Sequence, residues 1–204
     1  MHVLGLNRQG HPTRIPPVNS NYIRINFTST PLHYCEPPVV LLVLIRSSLR
    51  HVARRQEIRS TWANQRHYQK LRVSIRHAFV LGEALPADAS PFLHSTLKKE
   101  SELEGDLILA DFADTYENLT YKTMTGMRWA VEYCQHFQYA LLLDDDMHIY
   151  LKNLLRFLSN PEKYPDATRA SNGLFNIPNR ETFYAGQLFG LRKNLPERPH
   201  WLDG

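Results

Sequence analysis

Three consecutive aspartates, Asp144, Asp145 and Asp146, follow a mostly apolar run, residues 140–143, in the stretch YALLLDDDMHIY. Adjacent carboxylates repel one another, so a chain that keeps three together needs a reason. Their oxygens are hard ligands suited to Mg²⁺ or Mn²⁺. A divalent ion would relieve the repulsion and in turn bind a diphosphate. A solvated acidic turn would carry no such chemistry. The apolar strand that leads into the triplet favours a site, because open α/β sheets bind ligands beyond the carboxyl ends of their strands. If the chain turns here, one aspartate approaches metal while its neighbour is positioned by the backbone.

Other residues suit the same chemistry. Arg55 and Arg59 fall on one helical stripe, and guanidinium forks match phosphate oxygens; a solvated basic face is the plainer alternative. Lys122, early in a predicted helix, could reach a phosphate, a carboxylate or only solvent. Trp62 and Trp129 read as core. The ten histidines show no H-x-x-x-H ligand spacing, and no G-x-S-x-G announces a serine hydrolase.

The elements that must position these residues read as alternating strands and helices. VVLLVLIR is a strand with both faces buried, followed by the helix HVARRQEIRSTW. Residues 73–82 form the next strand, 92–104 a helix, and DLILADF a strand from near Asp106. Residues 118–134 form a helix with Met124, Met127, Val131 and Cys134 on its apolar stripe. YALLL is the fourth strand, NLLRFLSN a short helix, and 181–190 a further strand. This order predicts an α/β fold, a mostly parallel sheet flanked by helices. Residues 1–37, rich in Pro, Asn and Arg, read as a flexible lead-in or stem, with the folded part at 38–204. No G-x-G-x-x-G or G-x-x-x-x-G-K-[ST] is present.

At 43% hydrophobic and 22% charged residues, the chain can build one domain core. The net charge of +4 is spread along the chain, which argues against a nucleic-acid partner. The longest aliphatic run is far too short to span a membrane. Cys35 and Cys134 are either two buried thiols or one disulfide. Asn26-Phe27-Thr28 and Asn118-Leu119-Thr120 are N-x-[ST] sequons, candidate glycosylation sites that suggest a secretory route.

Taken in order, the stretches LLVLIRSSLRHVARRQEIRSTWA, HAFVLG, ESELEGDLILADFADTYENLTYKTMTGMRWAVEYC, LLLDDDMHI and FYAGQLF resemble the β-1,3-glycosyltransferase family, the inverting galactosyl- and N-acetylglucosaminyltransferases of the Golgi. Arg54, Arg55, Ile58, Arg59, Thr61 and Trp62 match the family's R-R-x-x-I-R-x-T-W-G helix, with Ala63 where Gly is usual. The flavour is brainiac-like. The resemblance implies a GT-A-like fold in which Asp144 and Asp146 hold Mn²⁺ against the diphosphate of UDP-GlcNAc or UDP-Gal. It implies nucleotide contacts from Arg55, Arg59, Lys122, Asp111 and Asp145. A glycolipid or glycoprotein glycan would be the acceptor, and the lumenal side of the Golgi membrane the location, through a type II anchor not present in these residues. The family's catalytic base lies in a C-terminal acceptor half that is not found here, so the resemblance also implies a chain shortened at both ends, the alternative to a transferase being a catalytically incomplete fragment or a non-catalytic relative that retains at most UDP and metal binding.

Overall fold

The computed structural model describes residues 4–6, 12–14, 25–31, 34–36, 39–71, 73–134 and 136–159. Contacts divide the chain into two compact units at Ile149/Tyr150. Among the described residues the first unit contains strands β1 (Leu4–Leu6), β2 (Pro12–Arg14), β3 (Phe27–Ser29) and β4 (Val39–Arg46). Helices α1 (Val52–Ser60) and α2 (Gln65–Leu71) follow, then β5 (Ile75–Glu83), α3 (Pro91–Glu104) and β6 (Leu107–Ala113). A 3-10 turn at Tyr116–Asn118 leads into α4 (Leu119–Tyr133), and β7 (Phe137–Asp144) closes the unit. The second unit contributes α5 (Leu151–Ser159). The expected strand at 181–190 and the tail beyond it lie outside the described residues. No described helix is long and apolar enough to cross a membrane.

The main sheet has the order β3-β6-β5-β4-β7, and β6, β5, β4 and β7 run parallel. β4 is buried on both faces along nearly its whole length, as its unbroken apolar sequence requires in a helix-covered parallel sheet. On one face Leu42, Leu44, Ala78, Val80 and Ile108 pack with Trp129 and Ala130 of α4. On the other, the Arg59 guanidinium of α1 lies 4.8 Å over the ring of Phe79. The boundaries of α3 follow from its caps. Ser90 accepts a hydrogen bond from the Leu93 amide, Pro91 opens the first turn, and Gly105 stops the helix at φ 62°, a backbone region that favours glycine.

Three findings depart from the sequence reading. Within the expected lead-in, Phe27–Ser29 pairs antiparallel with β6. Phe27 meets Tyr133 edge-on at 5.6 Å, and Arg128 donates to the Ile25 carbonyl at 2.6 Å, so this part of the segment has both core and ladder partners. The second departure is α2, which carried no apolar period strong enough to announce it. The third is the phase of α4. Met124, Met127 and Val131, expected in the core, are 43%, 41% and 67% exposed, while Lys122, Thr125, Gly126, Trp129 and Ala130 are buried. The helical period holds, but the inward face is the one whose glycine lets the backbone approach the sheet. A Cβ on Gly126 would stand 3.1 Å from Val80 Cγ2.

Cys35 and Cys134 form a disulfide across a separation of 99 residues. It joins the segment ahead of β4 to the end of α4 within the core that Trp129 fills.

Candidate functional site

β7 ends on Asp144, and the chain then turns, with the Met147 amide donating to the Asp144 carbonyl at 3.2 Å. The turn breaks strand alternation and sends the three carboxylates to three different surroundings. Asp144 faces Arg46, its cross-strand neighbour on β4. Arg46 Nη2 donates to Oδ2 at 2.9 Å and Nε lies 2.8 Å from Oδ1. Asp145 turns inward and is 8% exposed. It accepts from Ser47 Oγ at 2.7 Å, His51 Nδ1 at 2.8 Å and Arg54 Nη1 at 3.3 Å. Asp146 is exposed, with no side-chain partner among the described residues. The protein's own cations therefore relieve most of the repulsion that the sequence alone left to a metal.

Burial alone would push the Asp145 carboxyl up. The hydrogen bonds from Ser47 and His51, the charge of His51 and the bond from Arg54 outweigh it and hold the group below the usual aspartate range. His51 is the N-cap of α1 but makes no side-chain cap bond, because its ring is committed to Asp145. A carboxylate only accepts, so Nδ1 carries the proton.

Ser47, buried just past the end of β4, ties this turn to the rest of the sheet. Its hydroxyl donates to Asp145 and accepts from Arg55 Nη1 at 3.1 Å, its amide donates to the Val80 carbonyl, and its own carbonyl accepts from Lys122 Nζ at 2.6 Å. Lys122 also reaches Asp114 Oδ1 at 2.6 Å, and Asp114 Oδ2 accepts from the Gly82 amide at 3.0 Å. The carboxyl ends of β7, β4, β5 and β6 are thus joined through Asp145, Ser47, Gly82 and Asp114. Gly82 admits no side chain: a Cβ would stand 2.4 Å from the Phe112 carbonyl oxygen.

The structure brings Asp144, Asp145, Asp146 and Lys122 to one end of the sheet, and of the three sequence outcomes for Lys122 it shows the carboxylate. Arg55 and Arg59 do not face outward. Arg55 is 0% exposed, with Nε and Nη2 on the two oxygens of Glu100 at 2.7 and 2.6 Å. Arg59 holds Asp106 through Nε and Nη2 at 2.8 and 2.7 Å, with Nη1 2.8 Å from Glu100. Their forks meet carboxylates rather than phosphates because α3 and the start of β6 supply those carboxylates within the core. Arg55 acts on the turn only through Ser47. Asp111 stands on β6 at the opposite side of the sheet from β7. There it accepts from the Asn26 amide and from Asn26 Nδ2, both at 2.6 Å, which keeps its carboxyl low despite its exposure. Asn118 lies at the start of α4, its Nδ2 bonded to the Ala113 carbonyl at 2.9 Å.

Sequence reasoning passed over Arg46, Ser47, His51 and Asp114. Their signal was positional: Arg46 ends an apolar strand and Ser47 follows it, His51 caps the next helix, and Asp114 directly follows β6. Arg54 was noted only as part of a motif.

Among the described residues no group of three His, Cys, Asp or Glu side chains is placed to hold a metal. Asp146, with Asp144 beside it, offers a partial donor set. Such a set fits a cation that keeps waters and completes its shell with ligand phosphates, as Mg²⁺-type ions do. A cleft of about 730 Å³ lies beside α3, lined by Thr28, Ser29, Leu49, Gly82, Glu83 and Leu93 and by none of the three aspartates, within the usual size range of small-molecule sites.

Comparison with known proteins places residues 53–181 in match with the family described as Galactosyltransferase. The chain is similar to beta-1,3-galactosyltransferase 1 of Mus musculus and of Homo sapiens, 33% identical to each over 132 residues, which cover 64% of this chain and 39% of each relative. It is also similar to lactosylceramide 1,3-N-acetyl-beta-D-glucosaminyltransferase A of Danio rerio, 37% identical over 121 residues, covering 59% of this chain and 32% of that protein. The chain thus spans about two fifths or less of the length of these relatives.

Proposed function

Since the chain belongs to the galactosyltransferase family, among the β-1,3-glycosyltransferases, we propose that it binds a UDP-sugar together with a divalent cation at the carboxyl ends of β4 and β7. The reaction it serves is transfer of a hexose in β-1,3 linkage to a glycan. The observation that carries this reading is the turn itself. Asp145 is locked into the β4–α1 loop, and this fixes Asp146, whose carboxylate is free, and Asp144 beside it.

Asp146 and Asp144 would hold the cation, with Mn²⁺ the expected ion; bound there, it would act as a Lewis acid on the leaving diphosphate. Arg46, Arg54 and His51 border the same turn and would face phosphate oxygens. The cleft beside α3 has room for a nucleoside. Galactose and N-acetylglucosamine are the candidate sugars, because relatives bearing both names match this chain. The relative named for lactosylceramide makes a glycolipid glycan one candidate acceptor, and a glycoprotein glycan is the other. We further propose an inverting mechanism and a lumenal Golgi location at the membrane, in keeping with the disulfide.

The test is calorimetry of UDP with and without Mn²⁺, followed by transfer assays with labelled UDP-galactose and UDP-N-acetylglucosamine on lactosyl acceptors. Asp146→Ala is expected to weaken Mn²⁺-dependent UDP binding by about tenfold or more, a loss of ~1.4 kcal/mol or more, without lowering stability. UDP binding that ignores both Mn²⁺ and Asp146 would overturn the assignment.

A further inference from the structure

β4 and β7 run parallel, with Arg46 opposite Asp144. Both strands end at that pair, yet the matching of residues runs one step further. Arg46 holds Asp144 and Ser47 holds Asp145, and the Asp145 amide donates back to the Arg46 carbonyl at 3.0 Å. Asp146, next in the triplet, has no side-chain partner among the described residues. The end of β4 therefore meets the first two carboxylates one by one and leaves the third to project.

Ser47 is 3% exposed, and each of its polar groups is bonded. Its amide donates to the Val80 carbonyl on β5, its carbonyl accepts from Lys122 of α4, and its hydroxyl meets Arg55 of α1. The direction of the hydroxyl follows from these partners. A guanidinium only donates, so Oγ accepts from Arg55 Nη1, and its single proton is left for Asp145 Oδ2 at 2.7 Å. Arg55 is itself held by both oxygens of Glu100 on α3. A buried chain of hydrogen bonds, Glu100 to Arg55 to Ser47 to Asp145, thus removes the rotational freedom of the hydroxyl. Of the three side chains bonded to Asp145, His51 and Arg54 are 42% and 46% exposed and only Ser47 is buried.

We propose that Ser47 is a positioning residue for the capture of a divalent cation: acting through Asp145, its hydroxyl fixes the direction in which Asp146 leaves the turn. This rests on the reading of the turn as the cation site. The ligand it serves is a hard dication that brings waters and phosphate oxygens of its own. A protein that offers so few carboxylates to such an ion gains from holding them already oriented. Alanine at position 47 leaves Asp145 charged and bonded to His51 and Arg54. Two partly exposed side chains then hold the carboxylate alone, and its movement passes through one peptide unit to Asp146.

Two measurements on the full 204-residue chain test this. The first needs no ligand. Hydrogen exchange at the Asp145 amide is expected to quicken about tenfold or more in Ser47→Ala relative to amides inside β4, the mark of a local opening. No change, or an equal change at both places, would overturn the proposal. The second titrates UDP with and without Mn²⁺ into the wild type, Ser47→Ala, Asp145→Ala and the double variant. The factor by which Mn²⁺ strengthens UDP binding is expected to fall about fivefold or more in Ser47→Ala. It should fall at least as far in Asp145→Ala and no further in the double variant, because Ser47 acts through Asp145. Ser47→Thr keeps the hydroxyl and should keep the factor. A wild-type factor in Ser47→Ala, or effects that multiply in the double variant, would overturn the role of Ser47 and leave the cation site standing. A wild type whose UDP binding ignores Mn²⁺ would overturn the cation site and this proposal with it.

Discussion

Replacing Arg55 with methionine separates a buried framework from a ligand contact. The side chain is fully enclosed. Besides Glu100, it donates to Ser47 Oγ and to the carbonyls of Ser48 and Leu49. Methionine fills much of the volume but takes one donor from each of these acceptors; the Ser48 carbonyl keeps the His51 amide at 3.0 Å. Breaking one side of a buried ion pair costs about 3–5 kcal/mol. The lower end applies, because Arg59 Nη1 remains 2.8 Å from Glu100. A loss of about 3 kcal/mol is a large share of a stability of ~5–15 kcal/mol. With a slope near ~2 kcal/mol/M it lowers the urea midpoint by about 1.5 M. The double variant Arg55→Met/Glu100→Leu removes the stranded carboxylate while Arg59 keeps Asp106. It is expected to return to within about 1 kcal/mol of the wild type, as apolar replacements of buried pairs often do. UDP titrations on the folded fraction complete the assay. A midpoint shift below about 0.5 M together with a loss of UDP affinity of about tenfold would refute the reasoning and make Arg55 a phosphate contact.

Gly82→Ala would drive a Cβ to 2.4 Å from the Phe112 carbonyl, and urea unfolding should show a loss of about 2–3 kcal/mol. Cys35→Ser/Cys134→Ser opens the disulfide-closed loop, and thermal unfolding should reveal a loss of about 2–5 kcal/mol. The Asp106 carboxyl is pushed up by burial, but the His77 ring, 3.2 Å away, and the hydrogen bonds and charge of Arg59 hold it below the ordinary value of 3.8. Its stabilisation is therefore complete above that value and lost as pH falls below it through the folded value. Urea midpoints of wild type and Asp106→Asn should differ most at neutral pH and converge below about pH 3.8; a gap that widened on acidification would contradict the sign.

Strands β4 to β7 and their succession along the chain were legible because local patterns fix them. VVLLVLIR can be satisfied only between two covered faces, and Ser90-Pro91 and Gly105 punctuate α3. The acidic turn was legible for the same reason, since an apolar strand runs directly into it. The roles of Arg55 and Arg59 were not. Their partners Glu100 and Asp106 lie 45 and 47 residues away, and no periodicity within α1 distinguishes a guanidinium facing phosphate from one facing a carboxylate. In α4 the spacing supported two stripes, one through Met124 and Met127 and one through Thr125 and Trp129. Hydrophobicity favoured the first; the close approach at Gly126 selected the second. β3 is three residues long and shows no alternation, so its pairing depends on β6, far along the chain.

The three carboxylates of the turn also shape the field that an arriving ligand meets. Two of them already face guanidinium groups, and Asp146 has no such partner among the described residues. Three bare carboxylates would have repelled a diphosphate from a distance. The balanced rim does not, and Arg46, His51 and Arg54 border it. One uncompensated carboxylate is in turn too little to retain a hard dication against its hydration shell. If the proposed site takes both, cation and nucleotide would be best captured as a preformed complex. Because the rim carries little net charge, the rate of that encounter should change only modestly with ionic strength.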